Sequence, residues 1–139
     1  MIDEIYNKDV LRLAANISRI DPLADADAHV EMRSPLCGST IEVDLKIDGG
    51  RVSDFGQTIK ACALGQAAAS VVAAQVVGKD AAAIQEVRDQ VAAMLTEDGP
   101  PPASDWSDLA ALQPAKNAKP RHGAILLPFD AVLKGLGEN

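Results

Sequence analysis

"TIEVDLKIDGGRVSDFGQTIK", residues 40–60, decides the fold. Ile41, Val43, Leu45 and Ile47 alternate with Glu42, Asp44, Lys46 and Asp48, the period-two pattern of a strand with one dry face and one wet face. Asp48-Gly49-Gly50 tolerates positive φ, so the chain turns back in a hairpin. In the returning strand the alternation slips between Asp54 and Phe55, which predicts a bulge near Gly56. Upstream, "AHVEMR" puts Ala28, Val30 and Met32 on one face and His29, Glu31 and Arg33 on the other. A three-stranded antiparallel meander is expected, with His29 on the solvated side.

The flanking segments are helical in period. Residues 1–18 carry Ile2, Ile5, Val10, Leu13 and Ile17 without Gly or Pro, and read as one helix. The acidic run Asp21, Asp25 and Asp27 reads as a solvated loop. Residues 62–77 form a helix of small side chains ended by Gly78, with Gly65 expected to allow close helix–sheet contact. Asp80 caps a helix whose Ile84, Val87, Val91 and Met94 share a face. A Pro-rich connector (97–104) leads to a short amphipathic piece with Trp106, Leu109 and Leu112. The last helix starts near Pro120 and carries Ile125, Phe129, Val132 and Leu136; Pro128 within it predicts a kink or break. The fold class is α+β, a three-stranded antiparallel sheet with helices packed on one face, in one domain spanning 1–139.

Composition narrows the function classes. With 139 residues and 47% hydrophobic content the chain can bury a core. A net charge of −7 and an aromatic set limited to Tyr6, Phe55, Trp106 and Phe129 argue against nucleic acid as a partner. The start "MIDEIYNKDV" lacks a signal-peptide plan, and the longest apolar stretch, 61–78, is mostly alanine interrupted by Gln66, Ser70 and Gln75. A soluble, cytoplasmic protein without membrane contact is expected, and there its cysteines, Cys37 and Cys62, stay reduced.

Hairpin register brings those cysteines together. Cys37 precedes the strand that runs away from it, and Cys62 follows the strand that runs back. Cys62 also opens a helix, where the dipole and free N–H groups favour a thiolate. His122 opens the last helix three residues before Ile125 and four before Leu126, so it points toward the buried side. If that helix starts at the cysteine end, Cys37, Cys62 and His122 form a three-ligand set. A fourth position is left for water, substrate or a partner's side chain. Zinc accepts such a set, and so does an iron–sulfur cluster with an outside ligand.

The order of these motifs is that of a known family. "SPLCGSTIEVDLKIDGGRVSDFGQTIKACALGQAAAS" (34–70) resembles the IscU/NifU N-terminal-like iron–sulfur cluster assembly scaffolds. These have a CGD-like loop, a hairpin, and a GCA-like cysteine opening a small-residue helix. "IDEIYNKDVLRLAANISRI" is similar to the family's first helix, and "RHGAILLPFDAV" to the segment carrying its third cysteine. The long stretch between Cys62 and Arg121 is similar to the SufU branch. Ser39 replaces the loop aspartate, Gly123 stands at the third cysteine, and His122 matches the histidine of the IscU branch. The resemblance implies an IscU-like sandwich and a scaffold or carrier binding iron or a nascent iron–sulfur cluster through Cys37, Cys62 and His122. It implies as partners a cysteine desulfurase and other assembly proteins. The first alternative is a zinc-dependent sulfur acceptor, a sulfurtransferase in which Cys37 takes up sulfur. The second is a metal-free adaptor that retains only the docking surface.

Overall fold

The structure is a computed structural model that describes residues 6–36 and 38–137; Cys37 lies outside the described residues. Helix α1 (Lys8–Ala15) is followed by strands β1 (Ala28–Arg33), β2 (Thr40–Asp48) and β3 (Arg51–Lys60). Helices α2 (Ala63–Gln75) and α3 (Ala81–Thr96) come next. Successive 3-10 turns (Ser104–Asn117 and Lys119–Arg121) then lead into α4 (His122–Gly135). The strands form an antiparallel sheet in the order β1-β2-β3, with α2 on β3 and α4 on β1 and β2. This is the expected α+β architecture.

The Gly49-Gly50 turn has φ of 59° and 80°, the double positive φ of a two-residue type I′ hairpin. Val30, Ile41, Val43, Leu45, Val52 and Phe55 face the helices and are buried. Helix α2 is buried around most of its circumference, from Leu64 to Ala73, as its apolar and small composition requires. Asp80 accepts a hydrogen bond from the Ala83 N–H at 2.9 Å and so starts α3. Buried Ile84, Val87, Val91 and Met94 face the layer of α4 and the 3-10 turns. Trp106, 8% exposed, packs on Phe129 with ring centroids 6.1 Å apart.

Several expectations need correction. The first helix does not run through residues 1–18. Residues 1–5 lie outside the described residues, and Asn7 caps a helix that starts only at Lys8, accepting from the Val10 N–H at 2.9 Å. The helix stops at Ala15, and Asn16 caps it, its backbone N–H and its side chain both donating to the Arg12 carbonyl, the latter at 2.7 Å. The bulge is not at Gly56: Lys46 pairs with Asp54 and Ile47 with Val52, which leaves Ser53 as the extra residue. Gly56 is needed because residues 19–23 cross the outer face of the sheet there, and a Cβ would overlap the Asp21 carbonyl. The same crossing buries Asp44, and its carboxylate accepts the Leu23 N–H at 3.1 Å. Asp27 is exposed, as expected, and also accepts the Ile47 N–H at 2.8 Å beside the bulge. Finally, α4 runs without a break through Pro128.

Candidate metal and sulfur site

Register fixes which elements share one end of the sheet. Arg33 pairs with Thr40, and Thr40 with Lys60, so the turn after β1 and the exit of β3 share one end. The turn is closed by the Ser34 N–H to the Ser39 carbonyl (2.8 Å) and by the Gly38 N–H to the Ser34 carbonyl (2.9 Å). Gly38 has φ +72°, a left-handed conformation suited to glycine. Ser34 and Ser39 at the base of the turn are buried, whereas Leu36 at its tip is 80% exposed. Cys37 belongs to this turn by sequence and lies outside the described residues.

Cys62 is the N-cap residue of α2, with extended backbone (φ −65°, ψ 170°). Its carbonyl accepts the Gln66 N–H at 3.0 Å, while its thiol makes no capping bond. The Gln66 side chain closes the turn by donating to the Ala61 carbonyl at 3.1 Å. The thiol is free and half-buried at the positive end of the helix dipole.

Helix α4 starts at the same end. A Cβ on Gly123 would fall inside contact distance of the Ser34 hydroxyl, so Ser34 Oγ fills the place a third cysteine's side chain would enter. A Cβ on Gly65 would sit 3.2 Å from the Ala124 carbonyl oxygen, 3.3 Å from Ala124 Cβ and 2.8 Å from Ala61 Cβ. Gly65 therefore serves helix–helix contact between α2 and α4, and the expectation of helix–sheet contact is corrected. Pro128, four residues after Ala124, has no N–H to return to that carbonyl, which leaves it turned to Gly65.

His122 is half-buried and its Nε2 lies 2.9 Å from the Ala115 carbonyl. A carbonyl only accepts, so Nε2 carries the proton and Nδ1 of the neutral ring carries the free lone pair. The ring lines an open groove of about 570 Å³ with Leu95, Thr96, Lys116, Asn117 and Lys119. The donor chemistry of Cys62 and His122, thiolate and imidazole, fits zinc or iron, and a ring nitrogen anchored to a backbone carbonyl is the usual support of a ligating histidine.

The sequence reading missed a second polar cluster. His29 is exposed, as expected on the solvated face, and it also pairs across strands with Asp44, its Nδ1 2.6 Å from Asp44 Oδ1. The hydrogen bond to Asp44 raises the His29 pKa above its ordinary value, Glu31 adds to the rise, and desolvation opposes it. The signal available in the sequence was register: a hairpin through Gly49-Gly50 sets His29 opposite Asp44 once β1 is aligned.

Known proteins are similar along almost the whole chain. The NifU-like N-terminal domain profile matches residues 5–119. The zinc-dependent sulfurtransferase SufU of Bacillus subtilis is 25% identical over 137 residues, 99% of this chain and 92% of that protein. The crystal structure of a nitrogen-fixing NifU-like protein (N-terminal) from Brucella abortus superposes with a TM-score of 0.93. It is 45% identical and covers 98% of this chain and 94% of its own. FiSufU of Fervidobacterium islandicum AW-1 shares the fold, with a TM-score of 0.85 at 19% identity over 96% of this chain and 98% of its own.

Proposed function

We propose that this chain, which belongs to the NifU-like N-terminal domain family, is a scaffold or carrier in iron–sulfur cluster assembly. Iron or a nascent cluster is its cargo, held through Cys37, Cys62 and His122. The observation that supports this reading is convergence. The Ser34–Ser39 turn, the Cys62 cap of α2 and the start of α4 meet at one end of the sheet. Cys62 supplies a thiolate from a helix N-terminus, and His122 offers Nδ1 while Ala115 holds Nε2. Leu36, exposed beside Cys37, gives a cysteine desulfurase an apolar contact at the point of sulfur delivery.

A second reading has its own support in the whole-length similarity to the B. subtilis zinc-dependent sulfurtransferase. In it the Cys37 thiolate attacks the outer sulfur of a desulfurase persulfide. The new S–S bond forms on Cys37 as the enzyme's cysteine leaves as a thiolate. Zinc, when bound by Cys62 and His122, would keep the site's thiols deprotonated.

Metal, iron and acid-labile sulfide are measured on protein purified without oxygen, beside Cys37→Ala, Cys62→Ala and His122→Ala. Iron with sulfide, lost in all three variants, is expected. Stoichiometric zinc without sulfide, with a desulfurase rate increase that vanishes in Cys37→Ala, selects the sulfur-acceptor reading. No metal even after reconstitution overturns both, leaving a family fold kept for its contacts.

A further inference from the structure

Ser34 closes the base of the 34–39 turn, and its backbone and side chain differ in what they meet. Its N–H donates to the Ser39 carbonyl at 2.8 Å, and its carbonyl accepts the Gly38 N–H at 2.9 Å. These bonds fix the direction of the Cα–Cβ bond and hold the hydroxyl against the start of α4, where a Cβ on Gly123 would overlap it. The residue is only 4% exposed, yet its hydroxyl has no hydrogen-bond partner among the described residues. A buried hydroxyl left unpaired is costly, and such a group marks a place where a ligand or water completes the site. The hydroxyl is not sealed off, since among the described residues Gln57 Oε1 alone is a fully enclosed side-chain atom without a partner.

We propose that Ser34 is a positioning residue of the cargo site, its hydroxyl donating a hydrogen bond to a sulfide or hydrosulfide anion at the metal's open fourth position. The inference rests on the ligand set proposed above and names the group that completes it. A serine hydroxyl keeps its proton at neutral pH, so it donates to an anion where a cysteine at 123 would ligate as a thiolate. A hydrogen bond to a charged acceptor is roughly twice as strong as a neutral one.

The surroundings favour an anion. The segments that meet at this end, 32–41, 58–66 and 114–126, contain no Asp or Glu in a chain of net charge −7. They carry Arg33, Lys60, Lys116, Lys119 and Arg121. The Arg33 guanidinium has no ion-pair partner among the described residues and lies against the turn, with Nη2 3.6 Å from where a Cβ on Gly38 would be. Carboxylates flanking this end are already paired, Asp98 with Lys116 at 2.9 Å and both Glu31 and Glu42 with His29 at 3.6 Å. The positive ends of α2 and α4 also meet here through Gly65 and Ala124, and neither Cys62 nor Arg121 caps its helix with a side-chain bond.

Cobalt(II) is loaded into the full chain without oxygen, and hydrosulfide is titrated in while sulfur-to-cobalt absorption is followed. In Ser34→Ala the hydrosulfide affinity should fall about tenfold or more, the effect of losing a hydrogen bond to a charged group, with a smaller change in cobalt affinity. Cysteine is close in shape to serine, so Ser34→Cys should bring a fourth ligand to the same position. A further thiolate-to-cobalt band should then appear and hydrosulfide binding should be lost, as in the closed sites of structural zinc. Equal hydrosulfide affinity in wild type and Ser34→Ala, or no new thiolate band in Ser34→Cys, overturns the proposal and leaves the cargo reading standing. Cobalt that does not bind the wild type, or binds Cys62→Ala equally well, overturns that reading and this inference with it.

Discussion

Replacing Gly123 with Ala tests whether Ser34 occupies the third-cysteine position. In an open helix Gly→Ala stabilises by about 0.5–1 kcal/mol, through helix propensity and a less flexible unfolded chain. Here the new Cβ would overlap Ser34 Oγ and lie 3.4 Å from Ser34 Cβ. Ser34 is 4% exposed and its N–H and carbonyl are both engaged in the 34–39 turn, so its hydroxyl has little room to yield. Overpacking of this kind costs about 1–3 kcal/mol, which outweighs the propensity gain. Gly123→Ala should therefore lose roughly 1–2 kcal/mol, the opposite sign to an unhindered site. Ser34→Ala removes the overlapping atom and leaves an ordinary contact, so in the double variant the loss should largely disappear. The coupling should be about 1–2 kcal/mol, well outside the additivity scatter of ~0.3–0.5 kcal/mol. Urea unfolding followed by fluorescence of Trp106, buried against Phe129, reads all four proteins. A Gly123→Ala protein as stable as wild type, or costs that simply add, would refute the steric argument. By the same argument Gly123→Cys alone would not gain a ligand, because Ser34 must first give way.

Gly65→Ala should destabilise by about 1–2 kcal/mol in urea despite its helix-propensity gain, because Ala61 and Ala124 leave no room for a methyl. It should also weaken metal binding at the cysteine end by spreading α2 from α4. In metal-free protein, NMR titration should find His29 protonating above its ordinary pKa of ~6.5, and returning toward that value in Asp44→Asn. A raised folded-state pKa contributes stability that is complete below the unfolded value and is lost as pH rises through the folded one. The stability difference between wild type and Asp44→Asn should therefore be larger at pH 6 than at pH 8.5. An equal difference at both pH values would remove the coupling.

The strands were legible because their information is local and periodic. Ile41 to Ile47 alternate, Gly49-Gly50 dictates the turn, and the cysteine-end geometry follows from counting residues along a hairpin. Asp80 and the apolar face of α3 were legible for the same reason. The segment 19–27 has no periodicity, so nothing in it announced that it crosses the outer face of the sheet. That crossing explains two separate misreadings: Gly56 as a bulge and Asp44 as exposed. The break expected at Pro128 does not occur, because a proline's cost depends on the carbonyl one turn earlier, and the environment of Ala124 is a tertiary fact.

That tertiary fact bears on how the cysteine site is held. The starts of α2 and α4 meet through Ala61, Gly65 and Ala124, a contact made of small side chains and one carbonyl. Those residues meet by close approach of small groups, which sets the start of α4 beside the start of α2. Such contacts tolerate no added volume but impose no polar partner, which leaves the ligands free to change. A chain can then carry Ser39 and Gly123 at this end of the sheet and still keep the fold. Variation at the ligand positions and steric constraint at Gly65 are thus separable. Substitutions at Gly65 should disturb stability and site geometry together, whereas Cys62→Ala should remove chemistry and leave unfolding nearly unchanged.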